Sequence, residues 1–203
     1  HSDGTRFSGK ELSGLKLALP TTTNTGTYAG INRATATSWQ TSTYDANSQT
    51  IAGTSITAVS ATTIRLLLNY IMTVRSRGKR GADLLLMSSN HYAAYDAATV
   101  AIQRIEDQGN SLGKLGFQNL KYYGAGRSAD IVQDGGIGSN MPQDVTYGID
   151  TDAMKMRYHP ERNFDKIGRS MMPINQDAVV QYIGFMGELT LNSPLFTWKF
   201  TSA

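Results

Sequence analysis

The stretch "PINQDAVVQYIGFMGELTLNSPLFTWKF", residues 173 to 200, decides the fold class. It is rich in the β-branched and aromatic residues that favour extended backbone. No charged side chain stands between Asp177 and Glu188, and Pro194 then divides two strand-like runs. Nothing in it forms a catalytic constellation. A chain that ends on so long an uncharged ribbon points to a protein whose surface is its function.

Upstream, "MKMRYHPE" (154 to 161) continues the strand-rich region, and Pro160 is expected to close it because proline cannot donate to a ladder. Glycines punctuate residues 109 to 138. Short strands fit between them at "FQNLKYYG" (117 to 124) and "ADIVQD" (129 to 134), with "DVTYGID" (144 to 150) following.

Two segments have helical spacing. In "SATTIRLLLNYIMTVRSRG" (60 to 78), Ile64, Leu67, Leu68, Ile71 and Val74 recur every three or four residues. Ser60 suits an N-cap and Gly78 a left-handed C-terminal position. A helix from 60 to 77 would be about 25 Å long. After a short strand expected at Asp83 to Ser88, "NHYAAYDAATVAIQRI" (90 to 105) has Asn90 as its cap and a stripe of Tyr92, Tyr95, Ala98, Ile102 and Ile105.

Residues 20 to 63 are dominated by Thr, Ser, Asn and Gly, which predicts extended arms and turns. The large apolar residues there, Tyr28, Ile31, Trp39 and Tyr44, need a partner surface. Two helices with many strands, the strands predominating late, make the class α+β rather than regular βαβ alternation.

The chain has 203 residues, 40% of them hydrophobic and 17% charged, enough for one large domain or two small lobes. A formal net charge of +3 is too small to imply nucleic-acid binding. With no cysteine, disulfides, thiol nucleophiles and thiolate metal sites are excluded. No apolar run reaches the ~18 residues of a spanning helix. The opening "HSDGTRFSGK" lacks Met and the apolar core of a signal peptide, which fits a piece of a longer protein.

Candidate chemistry is sparse. Gly124-Ala125-Gly126-Arg127-Ser128-Ala129 matches the G-x-G-x-x-A form of the dinucleotide fingerprint, but a strand-like "ADIVQD" follows where a helix N-terminus is required. A glycine turn between strands is the expectation. Asp134 to Gly138 lacks the Lys-Ser/Thr of a phosphate loop and the spaced carboxylates of a calcium loop. His91 and His159 each lack a second ligand at metal spacing. "RSRGKR" (75 to 80) is the one basic cluster, able to touch phosphates but expected as a solvated helix end. No catalytic, cofactor-binding or metal residue is assigned.

Five segments in order carry a resemblance: "TGTYAGINRATATSWQ" (25 to 40), "LGFQNLKYYG" (115 to 124), "DGGIG" (134 to 138), "RYHPERNF" (157 to 164) and "INQDAVVQYIGFMGELTLNSP" (174 to 194). From about residue 15 to its end the chain resembles the major capsid proteins of tailed bacteriophages and prophages, which have the Hong Kong 97-like fold. The resemblance implies three divisions. Residues 1–55 would be a shortened N-terminal and extended-loop remnant, 56–80 with 166–203 a peripheral lobe, and 81–165 an axial lobe with a mixed sheet. In the peripheral lobe the helix at 60 to 77 would lie side by side with the strands at 180 to 191.

The resemblance further implies a non-enzymatic head subunit that self-assembles into pentamers and hexamers around the genome. It would have no cofactor, no small-molecule substrate and no membrane partner. Its partners would be other capsid subunits, with non-specific contact to packaged DNA. It would be made in the host bacterial cytoplasm and end in the virion. Asn32, Arg33, Trp39, Asp134, Gly135, Gly136, Asn163, Asn175, Gln176 and Asp177 fall in the matching segments and are the expected inter-subunit or motif residues. Relatives carry an N-terminal arm and a long extended loop before the segment "GINRAT"; here little precedes Gly14-Leu15, which implies a truncated form. Two other classes compete. One is a nucleotide-binding enzyme using the Gly124 turn; the other is a surface β-sandwich module suggested by the Thr-rich first quarter, which would have no use for the helix at 60 to 77.

Overall fold

The computed structural model of the chain describes residues 2–106, 120–135, 141–171, 177 and 179–202. Its first half contains α1 (Arg6–Gly9), α2 (Leu15–Ala18), β1 (Thr27–Tyr28), β2 (Ile31–Asn32), β3 (Ser42–Asp45), β4 (Gln49–Ile51), β5 (Thr54–Ile56) and α3 (Ile64–Val74). Then come β6 (Leu84–Met87), α4 (Ser89–Glu106), β7 (Lys121–Gly124), β8 (Arg127–Gln133), β9 (Val145–Ile149), β10 (Met154–Met171), β11 (Val180–Leu191) and β12 (Trp198–Thr201). The class is α+β.

A six-stranded mixed sheet, ordered β3-β12-β9-β6-β8-β7, organises the body. The pairs β12–β3 and β6–β8 are parallel; β12–β9, β6–β9 and β7–β8 are antiparallel. Its strands come from residues 42–45, 84–87, 121–133, 145–149 and 198–201, so the sheet joins segments from all three divisions that the resemblance implied.

Strand alternation sends side chains to two faces. Leu85, Met87, Ala129, Ile131, Trp198 and Phe200 bury with α3 and α4 in one cluster. Val145, Tyr147 and Ile149, with Leu84 and Leu86, meet Ala18, Leu19, Tyr28, Met154 and Leu191 in the other. The sheet is therefore a middle layer, with helices on one side and the N-terminal segment on the other. All five residues of β9 are buried, as a strand covered on both faces must be.

Helix α3 forms where the three-and-four spacing predicts it, with Ile64, Leu67, Leu68 and Ile71 fully buried. It is shorter than expected, 11 residues instead of a span from 60 to 77. The Ser60 N–H donates to Thr63 Oγ1 and the Ser60 hydroxyl meets Thr62 and Thr63, so this local network replaces the first helical turn. Thr63 takes the cap position, and Val74 is 51% exposed rather than part of the buried stripe. Gly78 does adopt a left-handed φ of 59°.

In α4 the buried residues are His91, Tyr95 and Thr99, with Tyr92 and Ala98 at the margin of the core. Asn90 lies inside the helix, its amide donating to Asp144 Oδ1 at 2.9 Å, so it is not the cap. The side chains of Ile102 and Ile105 lie outside the described ones. Two well-formed helices dismiss the sandwich expectation.

The Thr-rich first quarter finds the surface it needs. Tyr28 is buried, Trp39 is half-buried against the second cluster, and Tyr44 packs edge-on to Tyr70 at 6.4 Å.

One expectation is overturned. The buried face of α3 packs on the sheet and α4, while β11 contributes only Leu191 to a core, and to the other cluster. Helix and ribbon do not lie side by side, because a six-stranded sheet offers a wide apolar face and a two-stranded ribbon does not.

Candidate assembly surface

β10 and β11 form a separate two-stranded antiparallel sheet. At about 3.3 Å per residue, the 12 residues of β11 span roughly 40 Å. The register begins at Met154↔Leu191 and runs outward through Met156↔Leu189 and Tyr158↔Gly187. It then skips to Asn163↔Phe185, so residues 159 to 162 bulge away from β11. This corrects the expectation that Pro160 closes the strand. A bulge is where a strand tolerates proline, because no ladder bond is asked of it there. The Phe164 backbone adopts φ 59°, and its ring stacks on Phe185 at 4.8 Å.

The inner end of the ribbon is tied to the body. Tyr28 Oη donates to Leu189 O at 2.9 Å and accepts from Leu191 N at 3.0 Å. Ser13 N donates to Glu188 Oε1 at 2.7 Å. Beyond this clamp no described residue covers β10: Lys155 through Ser170 are all exposed. Phe164 is 70% exposed and Ile183 67%, with Met156, Tyr158, Tyr182 and Met186 all above half. Soluble domains rarely leave so many large apolar side chains bare on one element.

The residues expected from the sequence do not form one site. Asn32 is exposed, and its Oδ1 accepts from Ala34 N at 2.9 Å. Arg33 is buried and serves its own chain: Nη2 donates to Leu17 O at 2.9 Å and Ala18 O at 3.1 Å, and the guanidinium lies 5.5 Å from the Tyr28 ring centre. It satisfies carbonyls at the end of α2 that the helix leaves unpaired. Asp134 follows β8, its N–H donating to Met87 O at 2.8 Å, and the Gly135 carbonyl accepts from Ser89 Oγ at 3.2 Å. Asn163 and Asp177 are exposed. Gly136, Asn175 and Gln176 lie outside the described residues. Only Asn163 belongs to the bare ribbon; the signal sequence reasoning missed was the run of charges around it.

The glycine motif at 124 is a hairpin turn. Ala125 and Gly126 both have positive φ, 52° and 70°, joining the antiparallel pair β7 and β8. These are the angles of a tight two-residue connection. Among the described residues no helix N-terminus follows it, the element that a pyrophosphate cradle needs.

His91 is buried, with Nδ1 at 2.8 Å from Thr146 Oγ1 and Nε2 at 2.8 Å from Ser202 Oγ. Burial lowers its pKa from 6.5 to about 4, with Asp144 pulling weakly the other way. A serine beside a histidine suggests a nucleophile, but the second ring nitrogen meets a hydroxyl and not an orienting carboxylate. Among the described residues no group of three His, Asp or Glu side chains could hold a metal ion.

Lys199 is also buried, with Nζ donating to Thr21 Oγ1 at 2.7 Å, and burial lowers its pKa. In the basic cluster, Arg75 Nε donates to Tyr44 Oη at 2.6 Å and Arg80 pairs with Asp150 at 3.2 Å, leaving Arg77 and Lys79 toward solvent. Among the described residues no helix is long and apolar enough to cross a membrane.

No protein-family model matches the chain, and no curated protein sequence matches it. A solved structure does. The fold is similar to a chain described as "Cyanophage A-1(L) capsid asymmetric unit", with a TM-score of 0.59 and 15% sequence identity over 99% of this chain. The chain spans 63% of the length of that capsid chain. The likeness establishes a fold shared with a phage capsid chain.

Proposed function

We propose that this chain is a structural subunit of an icosahedral phage or prophage head of the Hong Kong 97-like type. Copies of it assemble into pentamers and hexamers that enclose the genome, without catalysis. The observation that carries this reading is the fold it shares, over nearly its whole length, with a capsid chain. The bare ribbon supports it, since a subunit of a closed shell must present apolar surface to its neighbours.

On this reading residues 81–165 lie toward the ring axis and residues 56–80 and 166–203 at its periphery, tied together through the six-stranded sheet. Arg77 and Lys79 supply non-specific contact to packaged DNA. The subunit is made in the host bacterial cytoplasm and ends in the virion. Against the nucleotide-binding alternative stands the strand β8, which follows the Gly124 turn where a helix N-terminus is required.

Negative-stain microscopy tests the proposal on the protein expressed together with the genes that flank its own. Rings or closed shells are the expected result. Monomers alone, at every concentration, would overturn it.

A further inference from the structure

We infer that the β10–β11 ribbon pairs with the same ribbon of a second copy of this chain. The two β10 strands run antiparallel about a two-fold axis at Asn163, with Phe164, the bulged residue at φ 59°, left out of the pairing. This deepens the shell-subunit reading and rests on it, but it commits to one contact and one symmetry.

Area points to a partner. Nine large apolar residues between Met156 and Met186 are 39% to 70% exposed. At roughly 150–250 Å² for a large side chain, the four on β10 (Met156, Tyr158, Phe164 and Ile167) leave on the order of 450 Å² bare along the strand that pairs, more than half of the ~800 Å² that each partner gives a standard interface. An isolated two-stranded ribbon is itself marginal in water and gains from being covered.

The rest of the chain offers no acceptor of that size. The other exposed large apolar residues among those described are Leu12, Val74, Tyr123, Val132 and Leu195. They lie on five separate elements and loops. Among the described residues only the ribbon itself offers a matching surface.

Charge fixes the direction. The bulged segment reads Glu161-Arg162-Asn163-Phe164-Asp165-Lys166. Set antiparallel against itself, it places Glu161 opposite Lys166 of the second copy and Arg162 opposite Asp165, each twice by symmetry. Parallel pairing in register would set like charges together, at a cost. None of these four side chains makes an ion pair within its own described chain. Residues 159 to 162 have no partner on β11, so their backbone is not used by that ladder. Such a contact is isologous: the same surface serves both partners. In a shell it would join two rings, whereas the contacts within a ring are head-to-tail.

The test uses charge exchange. Glu161→Lys with Asp165→Lys should weaken self-association at least tenfold, and so should Arg162→Glu with Lys166→Glu. Mixing the two variants should restore it, read by sedimentation velocity at low salt. All four positions are exposed, so melting curves should stay at the parent value and rule out misfolding. Because the chain lacks cysteine, Asn163→Cys should form a covalent dimer under mild oxidation, and Val74→Cys should not. Unchanged association of both charge variants, or no rescue on mixing, or equal cross-linking at 163 and 74, overturns the pairing. Shells that form while these tests fail would sink the ribbon contact and leave the subunit reading standing. Cross-linking without any ring or shell would do the reverse.

Discussion

The ring of Trp198 occupies the space where a side chain on Gly148 would stand. The two residues are register partners in β12 and β9, and a Cβ on Gly148 would fall 2.1 Å from Trp198 Cε2. Trp198 is fully buried against α3, α4 and Leu85, so the indole has nowhere to retreat. Gly148→Ala should therefore destabilise the fold by roughly 1–3 kcal/mol or more through overpacking. A melting temperature unchanged within a degree would show that the ring is freer than the packing implies.

Leu68 lies fully buried in the cluster that joins α3 to the sheet. Leu68→Ala should cost about 2–5 kcal/mol, the usual range for truncating a buried leucine. Leu68→Asp places a charged carboxylate on that fully buried face and should abolish cooperative unfolding. Circular dichroism during heating checks both; a sigmoidal melt for the aspartate variant would mean that the helix face is misplaced.

What the sequence disclosed follows from how local each signal is. The face of α3 was legible because its spacing is written within four turns, and the Gly124 turn because the residues after it propose a strand. Pro160 misled: proline ends a strand by local rules, but a four-residue bulge at 159 to 162 lets β10 continue. Ser60 and Asn90 both have cap chemistry, and neither caps, because neighbouring hydroxyls in one case and Asp144 in the other claim them. The layer made by residues 15 to 33 has no periodicity to detect, since Arg33 and Tyr28 act through single long-range contacts. The bare ribbon was hidden for a different reason. Alternating apolar residues look alike whether the chain covers them itself or leaves them for a partner.

Arg33 holds that N-terminal layer. It gives two charge-assisted hydrogen bonds to the carbonyls of Leu17 and Ala18 and lies over the Tyr28 ring. Arg33→Ala strips the carbonyls and the ring of their partner, with an expected loss of about 2–3 kcal/mol for bonds to a charged donor. The effect should be local before it is global, so limited proteolysis should cut residues 10 to 35 faster while the sheet stays protected. Equal cleavage rates for parent and variant would show that the layer is held by its apolar contacts alone.

His91 ties three elements together, reaching Thr146 on β9 and Ser202 after β12 from the first turn of α4. Its pKa is about 4 in the fold against 6.5 when free, so the unfolded chain binds the proton more readily. Stability is then fully present above pH 6.5 and falls as pH drops toward 4, where the folded form also begins to protonate. The loss attributable to this one ring is about 3 kcal/mol at pH 4. Carboxylates will add their own acid dependence, so the comparison must be with His91→Asn, which keeps a polar side chain and cannot titrate. Urea unfolding at pH 7, 5.5 and 4 should show the parent losing about 3 kcal/mol more than the variant across that range. Parallel losses would mean that water reaches the ring and its pKa is ordinary.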